Sequence, residues 1–154
     1  MVQLTNALDR GENPVNIHAQ LLDDCHYLGR LPQSALLLHR NASLPWFIVV
    51  PDTSIEDILD LPEHHRHAVL GECAAVSAYI KQVLGYSKVN FAGLGNVVPQ
   101  MHLHVIGRHP EDACWPHPVW GNLEQSETYA GEQLRDWQSG LEKIAGLVPG
   151  SRPA

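Results

Sequence analysis

Gln100-Met101-His102-Leu103-His104-Val105-Ile106-Gly107-Arg108 is the stretch on which the reading of this chain turns. With the two-residue period of a strand, Gln100, His102, His104 and Arg108 share one face, and Met101, Leu103 and Val105 share the other. One face is apolar and must pack; the other is a polar row. Neighbours on that row sit roughly 7 Å apart, twice the rise of a strand, close enough for several groups to reach one phosphate. Imidazole can serve there as a neutral nucleophile or a cationic donor near neutral pH, and Arg108 adds a forked, permanent cation suited to phosphate oxygens. The same His-x-His pattern also suits a metal-ligand pair or a plain exposed face. The stretch alone leaves catalysis on phosphates, metal binding and structure all open.

Upstream, Ile17 to Cys25 predicts a short helix, and Tyr27-Leu28 and Ser34 to His39 predict a hairpin turning around Gly29 and Pro32. Trp46 to Val50 follows as a strand closed by Pro51, with Ser54 and Asp57 spaced to cap a short turn. One long helix is predicted from Pro62 to Leu84. Val69, Cys73, Val76, Ile80 and Val83 or Leu84 form its apolar stripe, and Gly85 stops it. Val89 to Ala92 and Met101 to Ile106 complete five strands, linked by Gly93-Leu94-Gly95-Asn96. The segment from Glu111 to Asn122 is rich in Pro and Trp and irregular. A last helix spans about Thr128 to Gly146, striped by Ala130, Leu134, Trp137, Leu141 and Ile144. Residues 1–16 read as a polar arm, 17–148 as a single domain and 149–154 as a tail. Strands, helix, strands, helix, without β-α-β alternation, predict an α+β fold with an antiparallel sheet.

The chain has 154 residues, 44% hydrophobic and 18% charged, as an ordinary globule has. A formal charge of −7 excludes the basic footprint of a nucleic-acid binder, so any phosphate must be held locally. Three scattered cysteines, Cys25, Cys73 and Cys114, outline neither a disulfide framework nor a zinc knuckle. No stretch approaches the roughly 20 apolar residues of a membrane span, and no leader pattern precedes Gln20. The expectation is a cytoplasmic protein with no membrane partner. His64, His65 and His67 read as the solvated first turn of the long helix, and His18 and His26 carry no evident chemistry.

Val98-Pro99-Gln100-Met101-His102-Leu103-His104-Val105-Ile106 resembles the signature of the histidine triad (HIT) family, His-φ-His-φ-His-φ-φ, with Gln100 in the first position. The run from Asn90 to Arg108, with Trp115-Pro116-His117-Pro118-Val119-Trp120-Gly121, is similar to a bacterial branch that often carries Gln there. The likeness covers residues 17–121. It implies a five-stranded antiparallel sheet bearing one long central helix and a C-terminal helix, assembled as a homodimer.

The resemblance also implies a nucleotide hydrolase or transferase working at an α-phosphate of dinucleoside polyphosphates or nucleoside phosphoramidates. His102 would be the nucleophile, forming a nucleotidyl-histidine that water opens. His104 would bind phosphate oxygens and help the leaving group. Gln100 would orient His102 or touch phosphate, although an amide cannot carry a proton charge. Asn96, after a Gly-x-Gly turn, and Asn90 would contact phosphate. His39 and Asn41 fall near the nucleoside pocket, walled by residues such as Leu22, Leu38 and Phe47. Arg108, with His109 and His117 nearby, is a candidate for the phosphate tail. Trp115 and Trp120 would cover the site, dock a partner or pack beneath prolines. Neither metal nor cofactor is required by this scheme. The alternatives are a nucleotide-binding module with little turnover, and a metal-dependent hydrolase in which His39 or His109 joins His102 and His104 as ligand.

Overall fold

The computed structural model describes residues 13–154. Of the arm expected over residues 1–16, the part up to residue 12 lies outside them. Helix α1 (Ala19–Asp24) leads into β1 (Cys25–Arg30), β2 (Ser34–His39) and β3 (Trp46–Pro51). A single 3-10 turn, Ile58–Asp60, precedes α2 (Glu63–Gln82). Then come β4 (Lys88–Gly93), β5 (Leu103–Arg108), α3 (Gly131–Ala145) and β6 (Val148–Pro149). All pairings are antiparallel, in the order β4-β5-β3-β2-β1-β6. The fold is the expected α+β arrangement. The sheet has six strands rather than five, because two residues after α3 pair with Gly29 and Arg30. So short a strand, half of it proline, has no alternation to betray it.

Gly29 makes that sixth pairing possible. Its φ of +149° accompanies the register shift in β1, and a Cβ there would overlap the Val148 carbonyl. The following tail is tied down too: Arg152 donates to the Leu22 carbonyl and pairs with Asp23.

Both faces of the sheet are covered. On one, Val69, Cys73, Val76 and Ile80 of α2 meet Leu36, Leu38, Phe47, Val49, Leu103 and Val105. Gly107 of β5 permits that approach at one end, since a Cβ there would overlap Pro45 and Ile80. On the other face, Ala35, Leu37, Ile48, Val50 and Ile106 pack with α1 and with Cys114, Val119 and Trp120 of the irregular segment. Burial on both sides explains the near-continuous apolar runs of β2 and β3.

Some local expectations are corrected. His65 is buried rather than solvated, because it precedes Val69 by four residues and so shares the core stripe of α2. Thr53 also supports the turn after β3, its Oγ1 accepting from the Ile55 N–H, and Asp57 caps the 3-10 turn without a side-chain bond of its own. Helix α3 starts at Gly131, three residues later than its stripe suggested. No helix among the described residues is long and apolar enough to cross a membrane.

Candidate functional site

The central strands β3 and β5 carry the site on the face away from α2. Ile48 pairs with His104 and Trp46 with Ile106, which sets the Trp46 indole diagonally beside His104. Strand β5 begins at Leu103, so His102 lies just ahead of it, at the mouth of the β4–β5 connection. The two imidazoles remain neighbours, with ring centroids 5.1 Å apart and planes at 71°.

They border a cavity of about 490 Å³ lined by His39, Trp46, Ile48, Asn96, Val98, His102, His104 and Trp120, with Leu21, Asp24 and Cys25 at the α1 end. That space accommodates a nucleotide-sized ligand. Its wall is mostly apolar, but Leu38 and Phe47, expected there, point to α2 instead. Strand alternation assigns the wall to Ile48, and α1 offers Leu21 rather than Leu22.

Hydrogen bonds fix the imidazoles in opposite tautomers. Nδ1 of His102 lies 2.7 Å from the Gln100 carbonyl oxygen, which can only accept, so Nδ1 carries the proton and Nε2 keeps its lone pair. His104 is reversed: the Trp46 indole N–H donates to its Nδ1 at 2.9 Å, leaving the proton on Nε2. His104 is 6% exposed, and burial, then His102 and His39, push its pKa down to about 4. It is a neutral donor at physiological pH. Trp46 also stacks on His39 at 4.3 Å, while Trp120 sits edge-on to both Trp46 and His104. His39 accepts from the Asn41 N–H through Nδ1, and burial lowers its pKa.

Of the expected site residues, His102, His104, His39 and Asn96 meet at the cavity. Gln100 turns toward the N-terminal segment: its amide donates to the Asn16 carbonyl and accepts from the His18 N–H. The Asn41 side chain donates to the Gln125 carbonyl and accepts from Ser43 and the Glu127 N–H, pinning the segment before α3.

Arg108 and Asn90 are also absent from the wall. Arg108 is 1% exposed, with Nε and Nη2 on the Asp112 carboxylate at 2.7 and 3.1 Å and Nη1 on Asn90 Oδ1 at 2.9 Å. The Trp115 ring lies 5.6 Å from its Cζ. Burial alone would raise the Asp112 pKa, yet hydrogen bonds from Arg108, His109 and Cys114 hold it below the usual carboxylate range. This cluster anchors the irregular segment to β5. Trp115 therefore serves packing, and Trp120 serves the cavity. His109 lies against Tyr86 and Glu111, and His117 is exposed.

Trp46 was missed by the sequence reading, hidden in an apolar strand. Its only signal is that a buried indole needs an acceptor. Among the described residues no three His, Cys, Asp or Glu side chains gather as metal ligands would.

A family model described as HIT domain matches residues 22–111. Among solved structures, the chain is similar to a histidine triad protein from Marinobacter aquaeolei VT8, at 36% identity over 88% of this chain and 100% of that one, with TM-score 0.79. A histidine triad protein from Bradyrhizobium japonicum is 34% identical over 86% and 99%, also at TM-score 0.79. One from Sinorhizobium meliloti 1021 is 30% identical over 87% and 99%, at TM-score 0.80. No protein with a curated description matches the chain.

Proposed function

This chain belongs to the histidine triad family, and from that premise we propose that it is a nucleotide hydrolase or transferase acting at an α-phosphate through His102. The observation that carries the reading is the pair of opposite tautomers facing one nucleotide-sized cavity. Nε2 of His102 has the free lone pair of a nucleophile, and the Gln100 carbonyl stabilises the positive charge its ring gains on attack. Nε2–H of His104 is a donor for a phosphate oxygen, effective because it is buried. Asn96, on the loop after Gly95 (φ +68°), is a second polar contact at the same wall. Asn41, Asn90 and Arg108 support this site through structure, and His39 by stacking under Trp46.

The site proposed needs no metal and no nucleic-acid polymer, and it acts in the cytoplasm. A homodimer is part of the proposal. Among the described residues, strand β4 is an open sheet edge, with Phe91 46% and Leu70 40% exposed around a mostly apolar cavity of about 200 Å³.

Incubation with adenylylated substrates should release AMP, and rapid quenching at alkaline pH should trap a nucleotidyl adduct on His102 by mass spectrometry. His102→Ala as active as the parent would refute the reading. A nucleotide-binding module with slow turnover is the second reading, favoured by Gln100 being turned toward Asn16 and His18. Calorimetric binding of AMP without adduct or turnover would select it.

A further inference from the structure

Where a proton can go in this cavity is decided by Trp46. An indole N–H only donates and never titrates within the working range. While it points at Nδ1 of His104 at 2.9 Å, that nitrogen cannot carry a proton without setting two N–H groups against each other. His104 therefore holds its one proton on Nε2. Releasing it to a leaving group would create an imidazolate, because Nδ1 is barred from taking one up.

The other titratable groups at the wall offer no replacement. His39 is fixed in the same tautomer by the Asn41 N–H. The proton on His102 Nδ1 is directed at the Gln100 carbonyl, away from the lone pair that attacks. Both oxygens of Asp24 accept from the Gln20 amide. Burial pushes the Cys25 thiol up to about 12. Gln100 carries no proton charge and lies outside the cavity wall.

We propose that this site is selective for nucleotides whose leaving group departs from phosphorus as a stable oxyanion, the phosphoanhydrides and acyl phosphates, and that Trp46 imposes the choice as a positioning residue. The proposal rests on attack by His102. The Nε2 lone pair forms the N–P bond while the P–O bond breaks, and its electron pair leaves on oxygen as phosphate or carboxylate. No proton is needed. Water then attacks phosphorus, the N–P pair returns to Nε2, and the proton of water passes to solvent. An amine leaving group would have to be protonated at nitrogen as the P–N bond breaks, and no group at the wall can do that.

The test compares diadenosine tetraphosphate, an acyl adenylate and the adenosine phosphoramidate of a primary alkylamine on the intact protein at pH 7. General acid catalysis supplies at least about a hundredfold, so its absence should make kcat/KM for both anhydrides exceed the phosphoramidate by about that factor. Imidazole nitrogen NMR on the free protein should show His104 as the single Nε2–H tautomer. Trp46→Phe retains an aromatic ring against His39 but removes the N–H. It should give mixed His104 tautomers, lower kcat for the anhydrides with little change in KM, and narrow the preference. Equal turnover of both classes through a His102 adduct would overturn this inference alone, as would a parent spectrum with the proton on Nδ1 of His104. Absence of a His102 adduct with every substrate would fell the proposed function and this inference with it.

Discussion

Replacing Arg108 by Met separates two readings of one side chain. Alternation along β5 makes it a phosphate ligand; the structure makes it the hub of a buried cluster. Its guanidinium makes two bonds to Asp112, one to Asn90 and a longer one to Cys114 Sγ. Side-chain exposure is 2% for Arg108 and 1% for Asp112. Met fills much of the volume but leaves the Asp112 carboxylate buried with only the His109 and Cys114 N–H groups for partners. Breaking a buried pair this way costs about 3–5 kcal/mol, a large share of the 5–15 kcal/mol typical of a domain. At ~2 kcal/mol per molar urea, the unfolding midpoint should fall by about 2 M. Adding Asp112→Leu removes the stranded charge and should restore at least half of the loss. Circular dichroism in urea measures both variants. If Arg108→Met kept the parent midpoint while nucleotide affinity fell tenfold or more, the guanidinium would be acting on phosphate and the structural assignment would be wrong.

Acid should weaken the fold through His104. Its folded pKa of about 4 lies below the ordinary 6.5, so the unfolded chain binds the extra proton between those values. That contribution is complete above pH 6.5 and lost as pH falls toward 4, by about 2 kcal/mol at pH 5. Urea midpoints at pH 7 and pH 5 should show a smaller drop for His104→Gln than for the parent; equal drops would contradict the shift. Gly29→Ala should destabilise by about 2 kcal/mol, because a Cβ overlaps the Val148 carbonyl and φ is +149°; an unchanged thermal midpoint would refute that contact. If the proposed homodimer forms across β4, Phe91→Glu, which puts charge on its exposed edge, should lower the mass by light scattering from that of a dimer to that of a monomer, an outcome that an unchanged mass would contradict.

The sequence made the scaffold legible where one physical rule dominates. The stripe of α2 reflects a single buried face and appears as read, and period two in β5 sets Leu103 and Val105 on the face opposite His104 and Arg108, although the structure buries both faces. The buried cluster around Arg108 was not legible because alternation says which face a side chain joins, not what covers that face. The cover comes from Asp112 to Trp115, in a segment with no period to read. Trp46 was overlooked for the opposite reason: among Phe47, Ile48, Val49 and Val50 it looks like more core, and its polar function is one N–H reaching across to another strand. His65 shows the same limit, since three histidines near a helix start look solvated until the turn places the middle one inward. His39 and Asn96 lie on the cavity wall as expected of their positions, since each ends or follows a strand that the pattern located well.

The short pairing of Val148–Pro149 covers the Gly29–Arg30 end of β1, and Pro149 supplies no amide hydrogen for a further neighbour there. Among the described residues, the longer free edge for lateral growth is β4. If two copies of the proposed dimer joined across that margin they would exhaust it, and association would end at two copies instead of running on into fibres.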